Sequence, residues 1–277
     1  RDPEMSRGLG DVYKRQGKNP QSLAERVHRM TKELHLPGFR QRMEETLEDA
    51  TWQQMTSLEQ IYDLLNAEIV RREANTAVKL RRHSNLPLDL INARFEELYE
   101  SDNRRWDTRL MALVRDGQWM LRETPADLIL SGACGVGKSF LAGCCANYIL
   151  DRRHSVYFIR AGRLFMDLKV HRVNNTLEKR KAELKRIDLL ILDDFLIEDM
   201  SEEDCADLLD IINDRNRLKP TIYTSQFKLE GWIERLGNSA MTQAVIDRIA
   251  HSSYRLHLEG SSQRRSVEVK ENLSNHR

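Results

Sequence analysis

The segment Leu128-Ile-Leu-Ser-Gly132-Ala-Cys-Gly-Val-Gly-Lys138-Ser139 joins an apolar run, Leu128–Leu130, to the helical stretch Phe140–Leu150 through a glycine-rich turn. From Gly132 to Ser139 it matches GxxxxGK followed by Ser or Thr at every fixed position, in the strand–loop–helix setting that the motif requires. Glycines let such a loop turn so that successive backbone N–H groups point inward and cradle phosphate oxygens. The helix that follows adds the positive end of its dipole. Gly132, Ala133, Cys134, Gly135, Val136, Gly137, Lys138, Ser139 and Phe140 are therefore the candidate nucleotide contacts. Lys138 is expected to neutralise the β- and γ-phosphates of ATP, and Ser139 to ligate Mg²⁺. The plain alternative is a glycine-rich turn with no ligand, and the setting argues against it.

Leu189-Leu-Ile-Leu-Asp193-Asp194 reads as the second half of the site. An apolar strand that ends in two carboxylates puts acids at the carboxyl edge of a sheet, where ligands bind in such folds. Asp193 is expected to hold Mg²⁺, directly or through water, and Asp194 to orient or deprotonate the attacking water. Thr221-Ile-Tyr-Thr-Ser225-Gln226 is a further short strand ending in polar side chains. Ser225 or Gln226 is the candidate for sensing the γ-phosphate or the water; an ordinary strand-end turn is the plain reading of the same residues.

With Val156–Ile159 and Tyr254–Leu258, these apolar runs alternate with helical segments from Leu88 onward. That order predicts a largely parallel sheet covered on both faces. Upstream the periodicity is helical. Ser22 and Glu25 form a capping box ahead of Leu23, Val27, Met30 and Leu34, and Pro37-Gly38 is expected to end that helix. Phe39, Met43 and Leu47 continue the apolar series. Ser57 and Gln60 repeat the capping pattern and open a long helix with Ile61, Leu65 and Ile69 on one face. Arg72, Lys79 and Arg82 on the same helix also point one way. Asn85-Leu86-Pro87 breaks the pattern. The expected domains are thus 17–85, small and all-helical, and 86–277, α/β. Residues 1–16 have neither period and resemble translated adaptor or cloning sequence, a non-native leader set aside from the fold.

The 277 residues are 40% hydrophobic and 31% charged, the balance of an ordinary globular protein. No apolar run approaches the roughly 20 residues needed to span a bilayer. The four cysteines lack CxxC or Cys/His spacing, which argues against zinc and a disulfide framework and predicts a cytoplasmic setting. A net charge of +1 hides basic clusters at Arg71–Arg72, Lys79–Arg82 and Lys179–Arg186. Taken singly, such clusters are as often solvated helix faces as binding surfaces.

In this order, GACGVGKS, LLILDDF, TSQ and then AVIDRI, the chain resembles the IstB-like ATP-binding proteins, helper ATPases of transposition in the AAA+ branch that includes the helicase loader DnaC and the initiator DnaA. The resemblance runs from about Leu23 to Arg265 and takes in Glu68, Arg71-Arg72-Glu73, Arg81-Arg82, Leu86-Pro87 and Gly260-Ser-Ser-Gln-Arg264. It implies a P-loop AAA+ core with a five-stranded parallel sheet, the Ser225–Gln226 strand lying between the two nucleotide strands. It also implies ATP held between subunits of a homo-oligomer on double-stranded DNA, with Arg248 matching the arginine finger supplied to a neighbour. The resemblance further implies an end without the helical lid of many AAA+ proteins. The departures are Cys134 in the loop and Asp194 where many AAA+ proteins carry Glu; the shorter acid bears on hydrolysis rate more than on binding. Asp89–Trp106 is the expected region for adenine contacts.

The basic segment between the second and third predicted strands supplies candidate DNA contacts: Lys169, Arg172, Lys179, Arg180, Lys181 and Lys185. Glu178 and Glu183 allow plain surface pairing instead. The function expected is an ATP-dependent, DNA-binding ATPase that recruits or activates a transposase, with Lys138, Asp194, Arg248 and Gln226 as catalytic residues. The alternatives are a DnaC-like loader acting on a replicative helicase, a nucleotide-dependent scaffold with little hydrolysis, and a P-loop small-molecule kinase.

Overall fold

In the computed structural model, which describes residues 22–98, 104–236 and 239–262, Ser22 caps helix α1 (Leu23–Glu33) in a reciprocal capping box with Glu25. The stretch read as a leader, 1–16, lies outside the described residues. Pro37 does not simply end α1. It opens α2 (Pro37–Thr46), because a proline at the first helical position has no N–H to leave unbonded. After α3 (Ala50–Gln53) comes the long α4 (Ser57–His83). Its capping pair is Thr56 with Glu59, one residue earlier than Ser57 and Gln60: the Thr56 N–H and hydroxyl both donate to Glu59 at 2.7 Å.

The chain divides into two units, Arg1–Asn75 and Thr76–Arg277. In the first, α4 meets α2 end-on. The Glu68 carboxylate accepts the Gly38 N–H at 2.6 Å and the Phe39 N–H at 3.2 Å, so an acid from one helix caps the start of another. A Cβ on Gly38 would stand 2.8 Å from the Ala67 carbonyl, so glycine permits the approach. Asp63 binds Arg42 at 2.8 Å and the Trp52 indole N–H at 3.1 Å. The buried face of α4 carries Leu64 and Glu68. Ile61, Leu65 and Ile69 form a neighbouring stripe that stays exposed, at 52%, 46% and 54%.

The division falls inside α4 and not at Asn85-Leu86-Pro87, the boundary expected from the helix break. The last turns of α4 belong physically to the second unit. Leu80 and Leu86 pack on its core, and Arg81 pairs with Asp151 and Asn147. The Ser84 carbonyl accepts from Phe158 N at 2.8 Å, and the Asn85 amide donates to the Phe158 carbonyl at 2.8 Å.

The second unit holds strands β1 (Arg104–Arg105), β2 (Asp127–Gly132), β3 (Val156–Arg160), β4 (Leu189–Phe195), β5 (Thr221–Ser225) and β6 (Ser253–Gly260). They form one sheet in the order β1-β6-β2-β5-β4-β3. The five long strands are parallel, as expected, and β5 lies between β2 and β4. A sixth, two-residue strand, β1, adds an antiparallel edge that periodicity could not reveal. Helices α5 (Thr108–Asp116), α6 (Lys138–Asp151), α7 (Ala161–Val173), α8 (Leu177–Arg186), α9 (Glu202–Arg215), α10 (Trp232–Leu236) and α11 (Ala240–Ser252) complete the unit.

Successive side chains of a strand face opposite sides, and here both sides are apolar. Leu128, Leu130, Leu189 and Ile191 join α6 in one core; Ile129, Leu190, Leu192 and Tyr223 join α7, α9 and α11 in the other. Burial pushes the Cys144 thiol of α6 up to about 12, so it packs as a neutral apolar group. Arg215 is buried in the second layer, where its guanidinium donates to the carbonyls of Leu184, Ile187 and Pro220 at 2.6–2.8 Å.

Candidate nucleotide site

The fully buried β2 ends at Gly132, and α6 begins at Lys138, so residues 133–137 form the loop between a fixed strand and a fixed helix. Gly135 and Gly137 have φ of 78° and 105°, conformations that side-chain-bearing residues rarely adopt. They give the loop the curvature expected of an anion cradle. Lys138 is buried and its ammonium donates to the carbonyls of Gly132 and Ala133, each at 2.8 Å. The cation is thereby held over the loop.

Asp193 lies at the centre of a chain of hydroxyl contacts. Ser139 Oγ donates to its Oδ1 at 2.8 Å, and Thr224 Oγ1 donates to the same oxygen at 2.5 Å. Thr224 in turn accepts the Asp194 N–H at 3.0 Å. Burial, with the neighbouring Asp194 charge, pushes the Asp193 carboxyl above its ordinary range, while the two hydroxyls pull it back. A hydroxyl and a carboxylate brought together from α6 and β4 are the hard oxygen ligands that suit Mg²⁺. The donor set and the glycine-shaped loop fit a magnesium–triphosphate group.

At Asp194 the chain turns to φ 56°, and the β4–β5 register shifts between Leu192 and Phe195. Such an irregularity re-aims a side chain at a strand end. The Asp194 carboxylate consequently leaves the sheet and faces Arg160, the last residue of β3, with Nε 3.7 Å from Oδ2. Beside it opens a cleft of about 750 Å³, lined by Asn85, Leu86, Phe158, Arg160, Arg163, Asp194 and Glu198.

The two sensor candidates part company. Ser225 is buried, donates to the Phe195 carbonyl at 2.9 Å and accepts the Phe227 N–H at 3.2 Å, so it builds the strand end. Gln226 is exposed at the tip of β5. Thr224, which sequence reasoning passed over, is the β5 residue that joins the two aspartates; it is one of three buried Thr/Ser residues in the strand, with nothing local to set it apart from Thr221 and Ser225. Ser262 was noted only as part of a motif, yet its Oγ lies 2.2 Å from where a Cβ on Gly135 would stand. Arg264 of that motif lies outside the described residues. In the region expected for adenine, the Asn147 amide donates to the carbonyls of Leu90 and Ala93 at 2.9 and 3.0 Å, which ties the segment to α6.

Arg248 is exposed on α11, with Nε donating to Asn213 Oδ1 at 2.7 Å. Helix α11 leads into the start of β6, where Ser253 pairs with Asp127; the phosphate loop follows the other end of β2. Arg248 is therefore not brought to Lys138 and Asp193 of its own chain.

The basic segment with the six candidate DNA contacts packs beside α9. Its charges are met by the acidic side of α9. Lys169 pairs with Asp204 at 3.1 Å, Arg172 with Asp207 at 2.6 Å, Lys181 with Asp207 and Asp210 at 3.0 and 2.7 Å, and Lys185 with Asp214 at 3.2 Å. Arg180 binds Asp167 at 2.7 Å and the Tyr157 hydroxyl at 2.8 Å. Among the described residues Lys179 alone of the six has no ion pair. The acids of α9 lie some 30 residues downstream in sequence, beyond the reach of an i,i+4 reading.

A family model described as IstB-like ATP binding protein matches residues 29–271. An insertion-sequence ATP-binding protein of Sinorhizobium fredii is 31% identical over 84% of this chain and 93% of its own length. The IS5376 ATP-binding protein of Geobacillus stearothermophilus is 28% identical over 87% of this chain and 94% of its own. Among solved structures, DnaI aligns over 63% of this chain and 95% of its own with a TM-score of 0.55 at 22% identity. AMPPCP-bound DnaA from Aquifex aeolicus aligns over 69% and 56% with a TM-score of 0.53 at 18% identity. These two share the fold.

Proposed function

The chain belongs to the IstB-like ATP-binding protein family and is an ATPase, and from that premise we propose that it is the helper of a transposition system. In this reading several copies assemble on double-stranded DNA and recruit or activate a partner transposase. The observation that carries it is the near full-length likeness to insertion-sequence ATP-binding proteins, joined to an intact nucleotide site.

Bound MgATP supplies a γ-phosphoryl group for transfer to water and a cation that offsets its charge. The amides of Ala133–Ser139 and the Lys138 ammonium grip the phosphate oxygens, with Phe140 next in the same helix turn. Ser139 and Asp193 hold Mg²⁺. Asp194, aimed off the sheet, orients the attacking water, and Gln226 at the exposed tip of β5 reports on it. Arg248 acts on nucleotide held by a neighbouring copy. Its exposure, and its distance in the fold from its own phosphate loop, support a homo-oligomeric site.

DNA contact through the α7–α8 segment draws on Lys179 directly. The cations Lys169, Arg172, Arg180, Lys181 and Lys185 contribute in exchange with the carboxylates that now hold them. Such contacts go to backbone phosphates and weaken with salt.

The test is assembly of the full chain on duplex DNA, followed by sedimentation with and without MgATP. ATP should drive assembly of the wild type and fail to do so for Lys138→Ala; a variant that assembles like the wild type refutes the scheme. Co-purification with a transposase supports the role, whereas capture of a replicative helicase in its place makes the protein a loader.

A further inference from the structure

Arg104 is a buried cation, 6% exposed, that the nucleotide reading does not use. It sits on β1, the edge strand of the sheet, whose pairing with the end of β6 sets Arg104 opposite Gly260; β6 in turn pairs with β2, the strand that leads into the loop. Its Nη2 donates to the Val136 carbonyl at 3.1 Å. The same nitrogen lies 2.1 Å from where a Cβ on Gly137 would stand, so the guanidinium rests directly on the loop where only glycine leaves room. Trp106 backs it, with the guanidinium carbon 5.6 Å from the ring centroid.

The peptide group between Val136 and Gly137 is planar and trans, as no cis bond occurs among the described residues. In a trans peptide the C=O and N–H point in opposite directions. A carbonyl held on the Arg104 side therefore turns the Gly137 N–H away from Arg104, to the other side of the loop. That N–H is one of the donors a phosphate needs, immediately before Lys138.

We propose that Arg104 is a positioning residue for nucleotide binding: by holding the Val136 carbonyl outward, it pre-sets the Gly137 amide to receive a phosphate oxygen. This rests on the ATP-binding reading. Arg104 reaches the ligand only through the loop, so its loss weakens capture of the triphosphate and leaves turnover at saturation nearly intact. One charge-assisted hydrogen bond sets the scale at about ten- to a hundredfold in affinity.

The experiment titrates the full chain with a fluorescent ATP analogue and Mg²⁺, comparing wild type, Arg104→Met and Arg104→Lys, each checked for its melting temperature. Arg104→Met should raise Kd by about ten- to a hundredfold with kcat at saturating ATP within about threefold. Arg104→Lys, which keeps a cationic donor, should recover at least half of the loss on a logarithmic scale. Hydrogen exchange of the nucleotide-free proteins gives a second readout, with faster exchange around Gly137 in the Met variant and little change in β4. Unchanged affinity in the Met variant overturns the proposal, as does a Lys variant no better than Met or a loss that tracks general melting. Failure of the wild type itself to take up the analogue overturns the ATP-binding reading along with it, an outcome separate from a variant that binds normally.

Discussion

Replacing Thr224 by Val removes one hydroxyl and keeps the shape of the side chain. That hydroxyl donates to Asp193 at 2.5 Å and accepts the Asp194 N–H at 3.0 Å, inside a site where Thr224 itself is fully buried. A hydrogen bond to a buried carboxylate is worth about 1.5–3 kcal/mol, and an orphaned amide costs about 1–3 kcal/mol. The two losses overlap in one group, so the expected fall in unfolding free energy is about 2–4 kcal/mol. The effect on turnover has a different origin. Without Thr224 the Asp194 backbone loses the anchor that fixes it at φ 56°, and the carboxylate that orients water drifts. About 1.4–2.7 kcal/mol on the barrier lowers kcat by ten- to a hundredfold, since each 1.36 kcal/mol is tenfold. ATP affinity, which the loop and Lys138 provide, should stay within about threefold, below roughly 0.7 kcal/mol. Urea denaturation and steady-state phosphate release measure the two effects separately, and Thr224→Ser is the control that restores the hydroxyl. A Val variant that hydrolyses ATP at the wild-type rate, or a Ser variant as impaired as Val, would show that Thr224 is mere packing.

Two further predictions concern stability. Burial pushes the Asp127 carboxyl up to about 6, against bonds from Thr221 N–H and Ser252 hydroxyl at 2.7 and 3.2 Å. Between about pH 4 and 6 the folded chain thus keeps a proton that the unfolded chain has released, and stability falls as pH rises through that window by about 3 kcal/mol. Asp127→Asn removes this loss, so its advantage over wild type should grow from pH 4 to pH 6; parallel curves would refute the assignment. In the first unit, Glu68→Ala leaves the Gly38 and Phe39 amides without their acceptor and should cost about 2–3 kcal/mol. An unchanged denaturation midpoint for that unit would count against an acid cap.

What could be read from the sequence was local. The phosphate loop, the Asp193–Asp194 strand and the helical character of the early residues each depend on neighbours within about ten positions, and periodicity with fixed motifs is enough for those. The middle position of β5 followed from family resemblance rather than from spacing. What escaped was made by register and by distant pairing. Thr224 meets Asp193 because the parallel β4–β5 register, in step from Leu190 and Thr221, sets these two positions side by side, which no local pattern encodes. Arg104 and Ser262 reach the loop from opposite ends of the domain, one through a two-residue strand too short to show a period. The cations of α7 and α8 looked available because their carboxylate partners lie on α9. The division inside α4 was hidden for a related reason: a helix break marks where the backbone turns, whereas a unit ends where packing changes owner.

One oxygen, Asp193 Oδ1, takes hydroxyl donors from both α6 and β5. A newcomer that takes a lone pair of this atom competes with those donors, and one of them, Thr224, is also the backbone's tether for Asp194. Occupancy at Asp193 and the placement of Asp194 are therefore linked through a single threonine hydroxyl, a connection two hydrogen bonds long.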